Sequence, residues 1–139
     1  EPEAGNVGTF GKPGPYAMSL SCTAKFKGPG DHFGEKNTHF IPATVQKFDD
    51  ALFNETGAIT VWGDGSQERD FVYIDDLIEL LYQSLSADLF NQRIVNVATA
   101  AGVSIKEVVL LIRKYMDCGQ IQIHWDPQKP VGTKKKVLN

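Results

Sequence analysis

The amino-acid sequence predicts a small α/β domain, and two patterns support this fold class. Apolar residues recur at helical spacing in three separate segments, which predicts about three helices. Between them lie short runs of β-branched and aromatic residues, which are typical of strands. The chain has 139 residues, of which 42% are hydrophobic, so it can bury one modest core.

The first 30 residues are rich in glycine and proline and show no sustained apolar period, so we expect a loop there. We place the domain boundary after residue 27, which leaves an irregular or remnant segment at 1–27 and one domain at 28–139. Residues 5–11, Gly-Asn-Val-Gly-Thr-Phe-Gly, have the glycine spacing of a loop that cradles a dinucleotide pyrophosphate. That chemistry needs a preceding strand and a following helix. Residues 12–15, Lys-Pro-Gly-Pro, cannot open a normal helix, so we expect a chance match.

The first helix is expected to follow Asn37 or Thr38, either of which can serve as its N-cap. Pro42 is tolerated in the first helical turn. The core face of this helix is predicted to consist of apolar residues at helical spacing: Ile41, Val45, Phe48 and Leu52.

The centre of the chain is predicted to form a β-hairpin that leads into a second helix. Residues 58–62 and 71–74 are β-prone runs. Residues 63–65, Gly-Asp-Gly, can turn, because glycine tolerates positive φ and aspartate bonds its own backbone. Asp75 or Asp76 can then cap the helix. The apolar face of this helix, which ends near Ala87, is predicted to hold Leu77, Leu80, Leu81, Ser84 and Leu85.

The last part of the chain predicts a strand, a helix and another strand. Ser104 and Glu107 have the spacing of a capping box. Gly119 is a plausible helix stop. The apolar face of this helix is predicted to comprise Ile105, Val108, Val109, Ile112 and either Tyr115 or Met116. Ile121, Ile123 and Trp125 alternate with polar residues, so we expect a parallel pair of strands at 93–98 and 120–125.

Composition excludes several classes of function. The net charge of −3 and the pI near 5.6 argue against nucleic acid as the main partner. No apolar run approaches the roughly 20 residues of a membrane helix. Residues 1–4, Glu-Pro-Glu-Ala, lack the features of a signal peptide. We therefore expect a cytoplasmic chain with neither nucleic acid nor a membrane as its partner.

The cysteines and histidines do not predict a disulfide framework or a metal site. Cys22 and Cys118 form no Cys-x-x-Cys motif. The three histidines lack metal-ligand spacing with one another: His32, His39 and His124.

Residues 62–77 carry the most specific pattern in the chain, Trp-Gly-x-Gly-x-x-x-Arg-Asp-Phe followed by Asp-Asp-Leu. This string resembles a segment of the extended short-chain dehydrogenase/reductase superfamily, which includes the NAD-dependent epimerases and dehydratases. Within it, the string is most similar to the GDP-L-fucose synthase family. The resemblance implies that Trp62 and Arg69 contact a sugar nucleotide. An indole face and a guanidinium fork suit a base or sugar and a phosphate. The alternative is a core tryptophan and a solvated arginine.

Two further segments extend this resemblance. Residues 37–43, Asn-Thr-His-Phe-Ile-Pro-Ala, are similar to a family motif whose histidine is an acid–base residue of the epimerisation; this position is His39. Its alternative role is capping or packing. Lys47 matches a basic substrate contact or is simply solvated. The segment 126–136 resembles a family loop over the sugar nucleotide, where Lys129 and Lys134 can screen a diphosphate or remain solvated. Val131 replaces the family's aspartate.

The cofactor-related motifs depart from the family. Short-chain dehydrogenases carry a catalytic Tyr-x-x-x-Lys pair; Tyr16 fits the tyrosine, but Leu20 stands where the lysine belongs. Either an upstream piece is missing or Tyr16 is a coincidence. Residues 23–25, Thr-Ala-Lys, replace a Pro-Thr-Asn that contacts the nicotinamide. The resemblance implies NADP for the intact family, but we expect no cofactor to bind this chain alone.

The resemblance covers residues 28–137, roughly the C-terminal third of a family member. It implies a small C-terminal lobe of an extended short-chain dehydrogenase, with the Rossmann cofactor domain largely absent. The chain would then be the substrate-binding part of an NADP-dependent GDP-4-keto-6-deoxy-mannose 3,5-epimerase/4-reductase. Alternatives are a non-catalytic sugar-nucleotide-binding or interaction module, a degenerate fragment, or another sugar-nucleotide epimerase/dehydratase. The expected partners are a GDP-sugar and either a separate cofactor domain or a second copy bound through an exposed apolar face.

Overall fold

The computed structural model describes residues 19–21, 25–34, 38–86 and 94–137. Within this part of the chain there are three helices: α1 (Phe40–Phe53), α2 (Ile74–Ser86) and α3 (Ile105–Tyr115). The described strands are short: β1 (Ser19–Ser21), β2 (Lys25–Lys27), β3 (Ala58–Trp62), β4 (Glu68–Arg69), β5 (Phe71–Tyr73), β6 (Ile94–Asn96), β7 (Val103–Ser104), β8 (Gln122–Asp126) and β9 (Lys135–Lys136).

The contacts divide the chain into two compact units. One contains the residues up to Gly28, the segment Asp70–Gly102 and the residues from Lys136 onward; the other consists of Pro29–Arg69 and Val103–Lys135. This division differs from the boundary expected after residue 27, because it follows contacts between distant segments rather than a change in composition.

The second unit is built on the parallel pair of β3 and β8, in which Ala58 lies opposite Gln122 and Trp62 opposite Asp126. Helices α1 and α3 pack against each other and supply apolar side chains to one core with these strands. This core consists of Phe48, Ala51, Ile59, Val61, Ile105, Val109, Cys118 and Ile121. A smaller sheet has the strand order β7-β4-β9, and its strands β4 and β7, which belong to this unit, are antiparallel.

The first unit contains two parallel pairs, β1 with β6 and β2 with β5. Helix α2 follows β5 without a loop, since Tyr73 ends the strand and Ile74 begins the helix. The core of this unit centres on three buried residues, Val72, Leu77 and Val97.

The predicted strand pairing is wrong. Residues 58–62 and 71–74 do not form a hairpin, because β3 pairs with β8 and β5 with β2. The strands at 93–98 and 120–125 do not pair with each other either: β6 pairs with β1, and β8 with β3. The loop expected over the first 30 residues is wrong where β1 and β2 form. In each case the partner is a distant segment that local patterns cannot identify.

The helices are confirmed, but several of their ends and faces differ from the prediction. His39 is the N-cap of α1 rather than Asn37 or Thr38, and Asn37 lies outside the described residues. Asp75 and Asp76 lie in the first turn of α2 and not at its cap. There their charges still favour the positive end of the helix dipole.

The face and end of α3 are partly confirmed. The capping box of Ser104 and Glu107 is present. Met116 packs against the core, whereas Tyr115 is exposed. The helix ends at Tyr115 with Met116 as its C-cap, and Asp117, not Gly119, adopts a positive φ of 54°.

On α1, Phe48 is buried as predicted, whereas Leu52 is exposed.

Among the described residues, no helix is long and apolar enough to cross a membrane. In the same part of the chain, no cluster of three or more His, Cys, Asp or Glu side chains could hold a metal ion. Cys118 is a free, buried thiol whose pKa is raised by its burial. Cys22 lies outside the described residues.

Candidate functional site

Trp62 ends β3 with its side chain on the exposed face of the strand. Ile59 and Val61 point into the core, whereas Thr60 and Trp62 alternate with them and are exposed. The indole is 55% exposed, so the core role considered for it is excluded. Trp62 lies opposite Asp126 at the carboxyl end of the parallel pair. In open α/β sheets, ligands bind at this end of the strands.

The turn after Trp62 is tightly constrained. Gly63 and Gly65 have φ values of 84° and 78°, so the turn uses the conformational freedom of glycine. A Cβ at Gly65 would lie 2.8 Å from the ring of Trp125, and one at Gly63 would lie 2.5 Å from Cγ1 of Val131. The predicted Gly-Asp-Gly turn is therefore confirmed, and its backbone lies directly against neighbouring side chains.

Asp64 organises this turn from within. Its Oδ1 accepts hydrogen bonds from the backbone N of Ser66 at 2.9 Å, the hydroxyl of Ser66 at 2.8 Å and Nε2 of Gln67 at 3.1 Å. Hydrogen bonds from Ser66 hold the pKa of the Asp64 carboxyl below its usual value. The Asp64 carboxylate is therefore fixed by hydrogen bonds from within the turn.

A groove of about 310 Å³ lies between this turn and the C-terminal loop. Of the site residues predicted from the sequence, only Lys134 lines it. The lining residues that the sequence analysis did not predict lie mainly in the turn and in the 127–132 loop. The Gly-Asp-Gly pattern predicted the turn but gave no indication of a groove beside it. The lining residues are Gly63, Asp64, Ser66, Gln67, Pro127, Val131, Gly132 and Lys134.

Arg69 lies on β4, the middle strand of the small sheet. Its Nη1 donates to the carbonyl oxygen of Glu68 at 2.7 Å, and partial burial lowers the pKa of the guanidinium. A Cβ added at Gly132 would lie 3.5 Å from Nη2 of Arg69. The guanidinium is therefore ordered and reaches the loop residue that lines the groove, and the fully solvated alternative is excluded.

Lys47 is also not simply solvated. Its Nζ donates a hydrogen bond to the carbonyl oxygen of Thr60 at 2.8 Å, and desolvation lowers the pKa of its ammonium group. Only residues 54–57 connect α1 to β3, and this hydrogen bond joins the two elements directly.

His39 does not use its imidazole as a helix cap. Its Nδ1 lies 3.5 Å from Oδ1 of Asp31. Asp31 is a residue that the sequence analysis did not assign to the site. The remaining predicted residues are less informative: Lys129 is exposed and does not line the groove, and Tyr16 lies outside the described residues.

Comparisons with known proteins identify the family of the chain. Residues 17–98 match the model of the NAD dependent epimerase/dehydratase family. A probable GDP-L-fucose synthase 1 from Oryza sativa subsp. japonica is 33% identical over 112 residues, which cover 81% of this chain and 34% of that protein. The chain thus spans about a third of the length of this relative.

Solved structures have the same fold. The crystal structure of a GDP-L-fucose synthetase from Naegleria fowleri matches with a TM-score of 0.72 and 25% identity, over 86% of this chain and 36% of that chain. A UDP-N-acetylglucosamine 4-epimerase from Methanobrevibacter ruminantium M1 matches with a TM-score of 0.70 and 22% identity, over 89% of this chain and 37% of that chain. The chain belongs to the NAD dependent epimerase/dehydratase family.

Proposed function

We propose that this chain is the sugar-nucleotide-binding part of a GDP-L-fucose synthase-like enzyme, an NADP-dependent GDP-4-keto-6-deoxy-mannose 3,5-epimerase/4-reductase. The observation that carries the proposal is the exposed indole of Trp62 at the carboxyl end of the parallel pair. The next residue, Gly63, lines a groove that is also lined by Lys134 and approached by Arg69. An aromatic surface next to two cations suits a nucleoside diphosphate better than a neutral sugar.

Each predicted residue has a distinct role in this proposal. Trp62 offers its face to the base or the sugar. Arg69 and Lys134 neutralise the diphosphate, the arginine as a fork with fixed geometry and the lysine as a point charge. Lys47 ties α1 to β3, and we propose that it adds a further cation to the substrate site. His39 supplies an imidazole that can take up and release a proton beside a ketone.

NADP does not fit the described residues. A dinucleotide pyrophosphate is bound where a glycine-rich turn joins a strand to the start of a helix. Within the described residues, β5 and β7 lead into their helices without glycine, and the glycines that follow β2, Gly28, Gly30 and Gly34, lie at least six positions before α1 begins at Phe40. We therefore propose that NADP chemistry requires a separate cofactor domain. The purified chain alone should not reduce a GDP-4-keto-sugar with NADPH.

Two alternatives remain within the family. The chain can be a binding module without chemistry, or part of an epimerase or dehydratase that uses another sugar nucleotide. The likeness in fold to a UDP-N-acetylglucosamine 4-epimerase favours keeping the second alternative. The preferred base separates this second alternative from the GDP-sugar proposal: a GDP-specific site should prefer GDP over UDP, whereas a site for UDP-sugars should show the reverse order.

The test of the proposal is calorimetric titration of the chain with GDP at low salt. We expect weak, salt-sensitive binding, because the groove is open to water. Arg69→Ala should weaken binding about tenfold, which is the low end for a charged bidentate contact. Lys134→Ala should weaken it about two- to threefold, since a surface ion pair contributes little.

The matched control is Lys114→Ala, which removes a lysine from α3, where it lies 5.9 Å from the centre of the Tyr115 ring and does not line the groove. This variant has the same change in net charge as Lys134→Ala and should bind GDP as the unmodified chain does. Absence of GDP binding, or an equal loss from Arg69→Ala and Lys114→Ala, would contradict the proposal.

A further inference from the structure

The imidazole of His39 lies beside a carboxylate and makes no capping hydrogen bond to the helix it precedes. His39 has an extended backbone, with φ −68° and ψ 160°, and its side chain accepts no hydrogen bond from the helix N-terminus. Its Nδ1 lies 3.5 Å from Oδ1 of Asp31. The common structural role of an N-cap side chain, which is to accept from the first helical N–H groups, therefore does not account for the orientation of this ring.

Asp31 is the fixed member of this pair. Its Oδ1 accepts a hydrogen bond from the backbone N of His32 at 3.0 Å. The Asp31 side chain is 18% exposed, whereas that of His39 is 57% exposed. The carboxylate is thus largely shielded and anchored, and the imidazole extends from it toward solvent.

We propose that Asp31 is a positioning residue that holds neutral His39 in the Nδ1–H tautomer. An ionised carboxylate only accepts hydrogen bonds, so the ring nitrogen beside it must carry the proton. Nε2 then keeps its lone pair on the exposed side of the ring. When Nε2 takes up a proton, the ring becomes an imidazolium whose positive charge the Asp31 carboxylate offsets.

The use of Nε2 in proton transfer rests on the function proposed above, but the tautomer does not, and it can be measured without any ligand. Long-range ¹H–¹⁵N correlation spectra of the labelled chain, recorded at alkaline pH where imidazoles are neutral, distinguish the two tautomers. A neutral imidazole in water favours the Nε2–H form. We expect mostly Nδ1–H for His39 and mostly Nε2–H for His124, which is exposed on β8 and serves as an internal reference.

Loss of the His39 signals in His39→Gln assigns the resonances. If His39 in the unmodified chain is mainly Nε2–H, the inference is overturned, and this outcome does not depend on any variant of Asp31.

Asp31→Asn is the sharper test. The amide has the same shape but offers a donor as well as an acceptor, so it no longer selects one tautomer. The ratio of Nδ1–H to Nε2–H should fall about threefold, the size expected for losing a contact between a carboxylate and an exposed ring. Asp31→Glu, which keeps the carboxylate, should retain most of the ratio. Asp50→Asn, on the exposed surface of α1, makes the same change in net charge and should leave the ratio unchanged.

An Asp31→Asn variant that keeps the ratio of the unmodified chain would overturn the inference. The outcome is separable from that of the GDP titration. A chain with the expected tautomer that does not bind GDP contradicts only the proposed function. A chain that binds GDP with His39 in the Nε2–H form contradicts only the role of Asp31.

Discussion

Asp70, which directly follows Arg69, is 1% exposed and has its carboxylate bound to a distant loop. It accepts hydrogen bonds from the backbone N of Thr99 at 3.0 Å, from the hydroxyl of Thr99 at 2.6 Å and from the backbone N of Ala100 at 3.1 Å. Ala100 has a φ of 57°, a conformation that a non-glycine residue keeps only where surrounding contacts hold it. The carboxylate therefore determines the path of the chain after β6.

Replacing Asp70 with alanine should destabilise the chain. Three donors would lose their acceptor at once, and each buried unsatisfied group costs about 1–3 kcal/mol. Because Thr99 and Ala100 are themselves exposed, water can partly replace the carboxylate, so we expect a loss of about 2 kcal/mol in the free energy of unfolding. Urea denaturation measures this change.

Thr99→Val is the matched control, since it removes only the hydroxyl donor and preserves both backbone donors. It should cost at most about 1 kcal/mol. Equal effects of Asp70→Ala and Thr99→Val would show that the backbone contacts of the carboxylate contribute nothing measurable.

At the scale of secondary-structure elements, α3 has the best-defined start. The hydroxyl of Ser104 accepts from the backbone N of Glu107 at 3.1 Å, and Oε2 of Glu107 accepts from the backbone N of Ser104 at 2.9 Å. These contacts to Ser104 hold the pKa of the Glu107 carboxyl below its usual value. The capping box therefore fixes the start of α3. This helix carries the buried residues Ile105, Val108 and Val109.

Ser104→Ala should lower stability in a pH-dependent manner. Losing a serine N-cap costs about 1 kcal/mol at neutral pH. Because the pKa of Glu107 is lower in the folded state, the stability that its carboxylate contributes is fully present above its ordinary pKa of 4.5 and is lost as the pH falls through the folded pKa. The stability gap between the unmodified chain and Ser104→Ala should therefore narrow below pH 4.5, as urea denaturation at several pH values would reveal.

The gap should not close completely, since the hydroxyl of Ser104 still accepts from the Glu107 backbone when the carboxyl is protonated. Glu107→Gln serves as the control, because glutamine has the same side-chain length but does not titrate. In this background, the difference in stability that Ser104→Ala causes should not change with pH. A gap that is constant from neutral pH to below pH 4.5 would contradict the assignment.

At the scale of the whole molecule, α2 presents apolar side chains that the described residues do not cover. Ile78 and Tyr82 are exposed one helical turn apart, and Tyr73, on the strand before them, is also exposed. We call these three residues the α2 face. Contiguous apolar surface of several hundred Å² is typical of interaction sites, so we expect this face to bind a cofactor domain or, in its absence, a second copy.

The chain alone should therefore self-associate and bind an apolar dye. Sedimentation velocity should detect species larger than the monomer. The double variant Ile78→Gln/Tyr82→Gln should shift the distribution toward monomer. Tyr115→Gln, which changes an exposed tyrosine at the end of α3 instead, should leave it unchanged. A monomeric chain without dye binding would contradict this prediction.

Much of the secondary structure is already determined by the sequence. The three helices, the Ser104–Glu107 capping box and the turn at 63–65 follow from residues a few positions apart, because helical spacing, caps and turns are local properties. The family is also recognisable from local sequence, because the string from Trp62 to Leu77 contains the motif that resembles it. Such short strings also predict Trp62, Arg69 and His39 as site residues without reference to distant contacts.

The tertiary structure decided which strands pair and what the site residues contact. Ala58 pairs with Gln122 and Lys25 with Phe71; strands this short form wherever distant segments bury their shared apolar face, and no local pattern encodes that choice. The contacts that define the site are of the same kind. Lys47 donates to Thr60 and Arg69 reaches Gly132 only because the packing of α1 and the return of the C-terminal loop bring these segments together.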